Sequence, residues 1–327
     1  MRAIIEAPVP IMLVDRLIRH ATVGAAFLVP GLDRRAVERR ARGREEARKL
    51  ARADFAVVSY GKSGRTWLNV MLSRFFQVRF GLPEHSLLFF DNLHRKNPAI
   101  PTVLLTHDNY LRDFLGTGAS KAAFYDKPTL LLVRHPADVA VSQYFQWRYR
   151  MRPHKKNLND YPPHGAAVSV GDFVLRERAG LAKVVAFMNE WAAELPRLRR
   201  LLVLRYEDLR SQPERRLAEV LGWMGMSPTP EEVRQAVAFA SFENMKRLEQ
   251  RGVFRWSGVS MRPGDRANPD SYKTRRAKVG GYRDYFDDQE VRSIDDYVRA
   301  NLDPVFGYGA PPGLAVAPER GRPVAVG

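Results

Sequence analysis

The sequence predicts a single α/β domain built on a doubly wound, mostly parallel β-sheet flanked by helices. Short apolar runs, each too short for a helix, alternate with segments of helical periodicity, as in chains that form parallel sheets. Polar clusters follow the ends of these runs, and in such sheets ligands bind outside the carboxyl ends of the strands. The length of 327 residues is sufficient for one large domain with appendages. The predicted strands are 55–58, 102–105, 129–133 and 201–204.

Residues 1–50 are predicted to form an amphipathic and basic helical extension before the domain. Between 11 and 28 the apolar side chains fall on one helical face, which docks on the domain or lies at a membrane interface. Charged residues interrupt this segment too early for a membrane span. Residues 33–52 carry nine Lys/Arg and four Asp/Glu with ion pairs at helical spacing, which predicts a solvated helix. An RNA-binding arm is the alternative, although no aromatic residue is present for base stacking.

The stretch from Asp54 to Phe76 carries the clearest functional signal. A short strand leads into a turn with two glycines and two cations, and an apolar face at helical spacing follows from Thr66. A helix N-terminus offers unpaired N–H groups and a positive dipole end, and glycines let the backbone approach a phosphate closely. The turn is therefore a predicted anion cradle.

The turn does not fit the Walker A motif, G-x-x-x-x-G-K-[ST]. With its lysine placed on Lys62, the motif requires a glycine at the position of Ala56. A conventional ATPase or GTPase is therefore disfavoured. A nucleotide kinase with the same strand, turn and helix remains an alternative.

Further elements follow in order along the predicted domain, which spans 51–308. Helices are predicted from Ala137, over about 170–194 as one long pattern, and over 213–224, 230–239 and 287–301. The segment 251–281 is basic and Gly-rich without a clear period. The tail, 309–327, is rich in Pro and Gly and is expected to be disordered.

Composition restricts the chemistry. The absence of cysteine excludes a disulfide framework and thiolate catalysis, and it is typical of a reducing, cytoplasmic setting. The net charge of +17 predicts an anionic partner, which includes nucleic acid, an acidic membrane surface or a phosphorylated or sulfated small molecule. No spacing of His, Asp or Glu suggests a metal site, so none is predicted.

The anion cradle resembles the 5′-phosphosulfate loop of the sulfotransferases that use 3′-phosphoadenylyl sulfate, usually written YPKSGTTWL. In this chain Gly61 replaces the proline and Arg65 replaces the first threonine. The resemblance implies a P-loop-like fold and a donor site in this turn. The implied donor-binding residues of the turn are Lys62, Ser63, Gly64, Arg65, Thr66 and Trp67.

Four further segments resemble the same family in the same order, over residues 55–286 in total. The segment 132–144 resembles the 3′-phosphate segment, and 205–209 the corner whose tyrosine contacts the adenine. The segments 240–245 and 275–286 resemble those that lie near the base and close over the 3′-phosphate. The implied donor-binding residues are Arg134, Ser142, Tyr206, Ser241, Phe242, Arg275, Arg276 and Ala277.

The resemblance also implies the catalytic residues. Thr106-His107 matches the family's K-[ST]-H motif, in which the histidine is the catalytic base, but Leu105 stands where the motif has lysine. His107 is the predicted general base, with His135 as a weaker candidate. Lys62 is expected to stabilise the leaving phosphate, and Arg65 or a cation from 251–281 to replace the missing lysine.

The implied reaction is in-line transfer of a sulfuryl group to a hydroxyl or amine acceptor, which could be a glycan or a lipid. A nucleotide kinase and a nucleic-acid-binding module are the alternative functions. The cationic stretch 148–156 is expected either to be a solvated loop or to recruit an anionic acceptor. The expected location is cytoplasmic, with the inner face of the membrane as a further option.

Overall fold

A computed structural model describes residues 11–26, 28–254, 261 and 263–308 of the chain. Within 11–26, the structure does not describe the side chains of residues 11–13, 15 and 16. The predicted Pro/Gly tail, 309–327, lies outside the described residues. The fold, the sheet and the cavity at its edge all lie within them.

In this part of the chain one parallel sheet of four strands forms the centre of the molecule, as predicted. The strands are β1 (Phe55–Val58), β2 (Val103–Thr106), β3 (Thr129–Val133) and β4 (Leu201–Arg205). Their spatial order is β2-β1-β3-β4, with Val58 paired to both Thr106 and Leu131. From β1 the chain builds the sheet first to one side and then to the other. The strand order therefore reverses between β1 and β3, where open α/β sheets bind their ligands.

Helices cover both faces of the sheet. They are α1 (Ile11–Ala25), α2 (Arg34–Arg52), α3 (Arg65–Phe80), α4 (Leu111–Leu115), α5 (Pro136–Tyr149), α6 (Pro153–Leu158), α7 (Val170–Leu175), α8 (Leu181–Ala192), α9 (Tyr206–Ser211), α10 (Pro213–Trp223), α11 (Pro230–Phe239), α12 (Phe242–Arg251) and α13 (Asp288–Asn301). Short 3₁₀ turns lie at Ala122–Phe124, Leu195–Arg197, Pro269–Ser271, Gly281–Tyr285 and Pro304–Phe306.

Alternate residues of β1 enter two separate hydrophobic cores. Phe55 and Val57 belong to the core that contains α3, α10 and α11. Ala56 and Val58 belong to the core on the other face, which contains α5, α8 and α13. Burial on both faces explains why the strands read as continuous apolar runs.

The predicted single helix over 170–194 is instead two helices, α7 and α8. The chain turns back at Gly180, whose backbone lies close to the end of α7. A Cβ atom on Gly180 would stand 2.1 Å from the carbonyl oxygen of Phe173, so only glycine fits there. The apolar period continues through the break because both helices face the same core.

Helix α2 is not the solvated helix that its charge pattern predicts. The expected pairs Glu38–Arg42 and Glu45–Lys49 do form, each with an N–O distance of 2.6 Å. However, Leu50 enters the core, and Gly43 allows α2 to approach α4 so closely that a Cβ would stand 2.2 Å from the Tyr110 carbonyl oxygen. These ion pairs are themselves largely buried, so α2 packs on the domain through charged as well as apolar residues.

Helix α1 lies against α2, and Arg19 and Glu45 form an ion pair of 2.5 Å between them. The docked arrangement, one of the two alternatives from the sequence, is therefore present. The opposite face of α1 exposes Val14 and Leu17, and Leu28 beyond its end is 83% exposed. Among the described residues, no helix combines the length and the apolar character needed to cross a bilayer.

Candidate functional site

A cavity of about 670 Å³ opens at the carboxyl ends of the strands, across the point where the strand order reverses. Each strand contributes a residue that follows it directly or closely. Lys62 comes after β1, His107 after β2, Arg134 after β3 and Tyr206 after β4. The polar clusters of the four predicted strands therefore meet in one cavity.

The β1–α3 turn forms the floor of this cavity. Lys62 has a φ of 76° and Gly64 a φ of 101°, so the backbone takes a left-handed path that turns the chain sharply into α3. Gly64 also lies under the ring of Tyr206, and a Cβ there would stand 2.5 Å from the Tyr206 Cδ2 atom. No side chain caps α3, so its first N–H groups and its positive dipole end are left for an anion.

Arg134 connects three parts of the cavity wall. Its guanidinium donates to the Lys62 carbonyl oxygen at 3.4 Å and to the Lys278 carbonyl oxygen at 3.0 Å, and it stacks 4.5 Å from the Tyr206 ring centre. Its Nε atom is buried without a hydrogen-bond partner among the described residues. An anion in the cavity would supply that partner.

The loop around residue 280 is held over the start of α5 by Asp138. This carboxylate is buried and accepts hydrogen bonds of 2.9 Å from the N–H groups of Gly280 and Tyr282. It also pairs with Arg134 at 3.2 Å. Asp138 therefore places the segment 275–278 opposite Arg134.

The cationic residues of that segment line the cavity together with Ser142 of α5. The Arg275 guanidinium lies 3.7 Å from the ring centre of Phe145, and Arg276 pairs with Asp284 at 3.0 Å. Ala277 has a φ of 51°, in the left-handed region that a glycine adopts more easily. Residues 275–277 therefore lie where an anion bound near Arg134 would meet them.

An aromatic wall lies on the α3 side of the cavity. Trp67 and Tyr206 meet edge to face at 5.8 Å, and the Trp67 Nε1 atom donates to the Ala240 carbonyl oxygen at 2.8 Å. Phe242 also lines this wall, which can receive a planar base. Two predicted residues do not line the cavity: Ser63 is buried beneath the turn, and Ser241 caps α12 by accepting from the Asn244 N–H at 3.4 Å.

His107 faces the cavity with both ring nitrogens engaged. Its Nδ1 atom lies 2.7 Å from the Ser59 carbonyl oxygen and its Nε2 atom 2.8 Å from the Arg65 guanidinium. Because the guanidinium can only donate, the network assigns the proton to Nδ1 and a lone pair to Nε2. Desolvation, and then the charge of Arg65, hold the pKa of His107 well below 6.5, so the ring is neutral at pH 7.

The second candidate base, His135, does not line the cavity. Its ring stacks on Tyr282 at 5.1 Å and meets the edge of Tyr308 at 5.5 Å. Desolvation lowers its pKa. Only His107 of these two histidines can reach a substrate in the cavity.

Two lysines share the cavity near His107. Desolvation lowers the pKa of Lys62 well below 10.5, and the charge of Lys273 lowers it further. The pKa of Lys273 falls to about 7, chiefly through desolvation and then through Arg150 and Arg65. The sequence predicted that some cation of 251–281 could replace the lysine missing at Leu105. That segment has no periodicity from which Lys273 could be identified.

A carboxyl group from α2 also reaches this region. The Thr106 hydroxyl donates to Glu46, and the Asp108 N–H donates to the Thr106 hydroxyl at 2.8 Å, so this chain of bonds runs beside His107. Desolvation raises the pKa of Glu46 to about 7. In the sequence, Glu46 is one of many charged residues of a basic helix, and no pattern predicts that it lies near the site.

Three cations of the stretch 148–156 are engaged within the protein, whereas Arg152 is exposed. Arg150 pairs with Glu249 at 3.0 Å, and the Lys155 Nζ atom lies 3.3 Å from the Tyr110 hydroxyl. Lys156 is buried, with its Nζ atom 4.9 Å from the Trp147 ring centre. Lys155 and Lys156 hold α6 in place, and Arg150, which follows α5, binds α12.

Another part of the cavity lining has a different character. Tyr60, Tyr161 and Phe187 form an apolar wall in which Tyr60 meets Phe187 edge to face at 5.4 Å. Charged side chains from α4 and α8 stand at its rim, including Arg112, Lys183 and Glu190. The cavity thus offers a cationic and aromatic half for an anionic nucleotide and an apolar half for a second molecule.

Comparison with known proteins gives a consistent result. The family model described as "Sulfotransferase domain" matches residues 52–306. "Cytosolic sulfotransferase 17" of Arabidopsis thaliana is 27% identical over 270 residues, which cover 74% of this chain and 72% of that protein.

Two solved structures share the fold. The mouse sulfotransferase SULT7A1 complexed with PAP has a TM-score of 0.50 at 18% identity, covering 79% of this chain and 89% of that one. A retinol dehydratase in a complex with retinol and PAP has a TM-score of 0.52 at 17% identity, covering 80% of this chain and 86% of that one.

Proposed function

Since the chain belongs to the sulfotransferase family and uses 3′-phosphoadenylyl sulfate as its donor, we propose that it sulfates a hydroxyl or amine group of a small molecule with His107 as the general base. The observation that carries this proposal is the convergence of Lys62, His107 and Arg134 in one cavity at the strand ends. The family match favours this reaction over the nucleotide kinase and nucleic-acid-binding alternatives.

The cavity fits the charge and shape of the donor. The β1–α3 turn with Lys62 would hold the 5′-phosphosulfate, since a helix N-terminus and an ammonium group both favour anions. Arg134, with its unpartnered Nε atom, and Ser142 would hold the 3′-phosphate, and Arg275 and Arg276 would cover it. The adenine would lie along Trp67, Tyr206 and Phe242.

In the proposed step, an acceptor oxygen or nitrogen attacks the sulfur in line with the bond to the 5′-phosphate. The bond from the acceptor to sulfur forms as the bond from sulfur to the 5′-phosphate oxygen breaks. The electron pair of the broken bond stays on the leaving phosphate. Lys62 and the first N–H groups of α3 stabilise that charge, an effect that preorganised donors exert strongly. His107 Nε2 takes the acceptor proton, a role typically worth about 10²–10⁴ in rate.

Arg65 must release Nε2 before His107 can act as a base. One of its terminal nitrogens is buried without a hydrogen-bond partner among the described residues, so the guanidinium still has donors to offer. We propose that the sulfuryl group of the donor attracts Arg65 away from the imidazole. The base would then be uncovered only when a donor is bound.

The apolar half of the cavity restricts the acceptor. Tyr60, Tyr161 and Phe187 would pack against an apolar body, and a lipid-like or aromatic molecule suits them better than an acidic glycan. Of the cations that would have recruited an anionic glycan, Arg150, Lys155 and Lys156 are engaged within the protein.

A location in the cytosol, with attachment to the inner face of the membrane, is part of this proposal. The outer face of α1 exposes Val14 and Leu17, and basic side chains of α2 lie nearby, a combination that favours the surface of an anionic bilayer. Sedimentation with vesicles that contain phosphatidylserine tests it, and Leu17→Gln should reduce binding. Equal sedimentation with neutral and anionic vesicles would contradict it.

An acceptor screen with labelled donor tests the main proposal. We expect transfer to apolar alcohols, phenols or amines, with formation of 3′,5′-bisphosphoadenosine in equal amount. A purified enzyme that binds this product but transfers label to none of these classes, and not even slowly to water, would overturn the proposed reaction.

A further inference from the structure

We infer that Lys273 is a catalytic residue whose ammonium group contacts the sulfuryl oxygens of the donor during transfer. The inference rests on the proposed function and assigns a role that neither Lys62 nor His107 fills. Leu105 leaves the position before Thr106 and His107 without a cation, and Lys273 brings one to the same region from another part of the chain.

The backbone at Lys273 is fixed by a buried carboxylate. Glu249 of α12 is 0% exposed and accepts hydrogen bonds from the N–H groups of Lys273 at 2.7 Å and Thr274 at 2.8 Å. The same carboxylate pairs with Arg150, which also donates to the Ser271 carbonyl oxygen at 2.7 Å. These bonds give the backbone of residue 273 a defined position, from which its side chain enters the cavity.

The ammonium group itself has no hydrogen bond or ion pair with any described residue, although it lines the cavity. Its electrostatic neighbours include the cations Lys62, Arg65 and Arg150, and it also acts on His107. Placing a partly buried cation without an ion-pair partner among other cations is costly, and the charge of Glu249 offsets only part of this cost. An anion bound between these cations removes this cost. In the proposed reaction, the part of the donor nearest to both Lys62 and His107 is the sulfuryl group that is transferred.

The division of roles follows from the positions of the two lysines. Lys62 is part of the turn that would hold the leaving phosphate, and Lys273 belongs to a separate loop that Glu249 of α12 anchors. In the transfer step the bond from sulfur to the phosphate oxygen breaks, the bond to the acceptor forms, and His107 receives the proton. Lys273 donates hydrogen bonds to the sulfuryl oxygens throughout and exchanges no proton with them.

The test compares wild-type enzyme with Lys273→Met and Lys273→Arg, using the acceptor that the screen identifies. Removing one donor of this kind typically costs about 10²–10³ in kcat, so we expect a loss of that size in Lys273→Met. We expect Lys273→Arg to recover part of it. Affinity for 3′,5′-bisphosphoadenosine, which lacks the sulfuryl group, should change by less than about tenfold, since the lost contact belongs to the transfer step. Lys246→Met, which removes an exposed lysine of α12, is the matched control and should behave as wild type.

Two results would overturn the inference. One is a kcat of Lys273→Met within about threefold of wild type, and the other is an equal loss of product affinity and kcat, which indicates a binding role. If Lys273→Met does not fold, Lys273→Gln carries the same comparison. Failure of the proposed function is distinguishable, because there the wild-type enzyme itself would form no sulfated product.

Discussion

The Nε2 atom of His107 lies 2.8 Å from a guanidinium nitrogen of Arg65, so the base of the proposed reaction is covered by a cation of the donor loop. Arg65 stands where the sulfotransferase loop usually has threonine, which has no charge and a shorter reach. In the proposed reaction the substitution would couple the two halves of the site, since the residue that meets the donor also occupies the lone pair that takes the acceptor proton. Each of these two side chains gives a separate prediction.

His107→Ala should lower kcat by about 10²–10⁴ and leave the affinity for 3′,5′-bisphosphoadenosine nearly unchanged, because a general base acts mainly in the transition state. Single-turnover kinetics and calorimetry measure the two quantities. Near-normal turnover would remove His107 from the mechanism. His135 could not replace it, since that ring does not line the cavity.

Arg65→Thr should raise the pKa of His107 toward its ordinary value, because the charge of Arg65 is one cause of its lowered pKa. Desolvation remains, so the pKa should stay below 6.5. The neutral ring is the active form, and activity is lost as the pH falls through its pKa. The acid limb of the pH–rate profile should therefore move to higher pH in Arg65→Thr. An unmoved limb, or an unmoved NMR titration of the ring, would contradict the coupling.

The nucleotide specificity of the cavity can be measured without an acceptor. 3′,5′-Bisphosphoadenosine should raise Tm clearly more than adenosine 5′-phosphate, since a ligand that binds the native state stabilises it and only the first reaches Arg134 and Arg275 with a 3′-phosphate. In Arg134→Gln the two shifts should become similar. Equal shifts in the wild-type enzyme would show that this end of the cavity is not a 3′-phosphate site.

Much of this molecule could be predicted from the sequence because its signals are local. The strands β1 and β3 are buried on both faces and read as continuous apolar runs, and the residues of the turn with Lys62 and Gly64 are adjacent in sequence. Where a strand ends and a helix begins is decided within a few residues. Because the carboxyl ends of parallel strands lie at one edge of the sheet, the location of the cavity then follows from the topology.

The remainder depends on distant parts of the chain. The break at Gly180 arises from a backbone approach to Phe173, and an apolar period that continues on both sides hides it. Lys273 and Glu46 are single charges in charged segments, and their roles arise only when Glu249 and Thr106 come near them in the fold. Arg150 and Lys155 read as part of an open surface for the same reason, since their partners Glu249 and Tyr110 are distant in sequence.

The pair between Arg150 and Glu249 should matter for stability. Removing one partner of a buried ion pair typically costs about 3–5 kcal/mol because the other charge is left without compensation. Glu249→Gln should lower the free energy of unfolding by an amount of that order, and urea denaturation measures it. Glu231→Gln breaks the exposed pair with Arg234 and should change stability far less, because solvent screens that pair. Similar losses in both variants would contradict the buried role.

Glu46 should make the stability of the protein depend on pH in the direction opposite to an ordinary surface carboxylate. Its pKa is about 7 in the folded protein, where desolvation raises it, against 4.5 as the ordinary value. Between these two pH values the native state binds more protons than the unfolded state at this group, so stability falls as the pH rises.

Glu46→Gln cannot ionise, and its amide oxygen can still accept the bond from Thr106. The variant should therefore gain stability relative to wild type as the pH rises from 5 to 8, as measured by urea denaturation across that range. Parallel stability curves for the two proteins would mean that Glu46 is already ionised beside Thr106 at pH 5, and that α2 contributes a fixed negative charge to the wall behind His107.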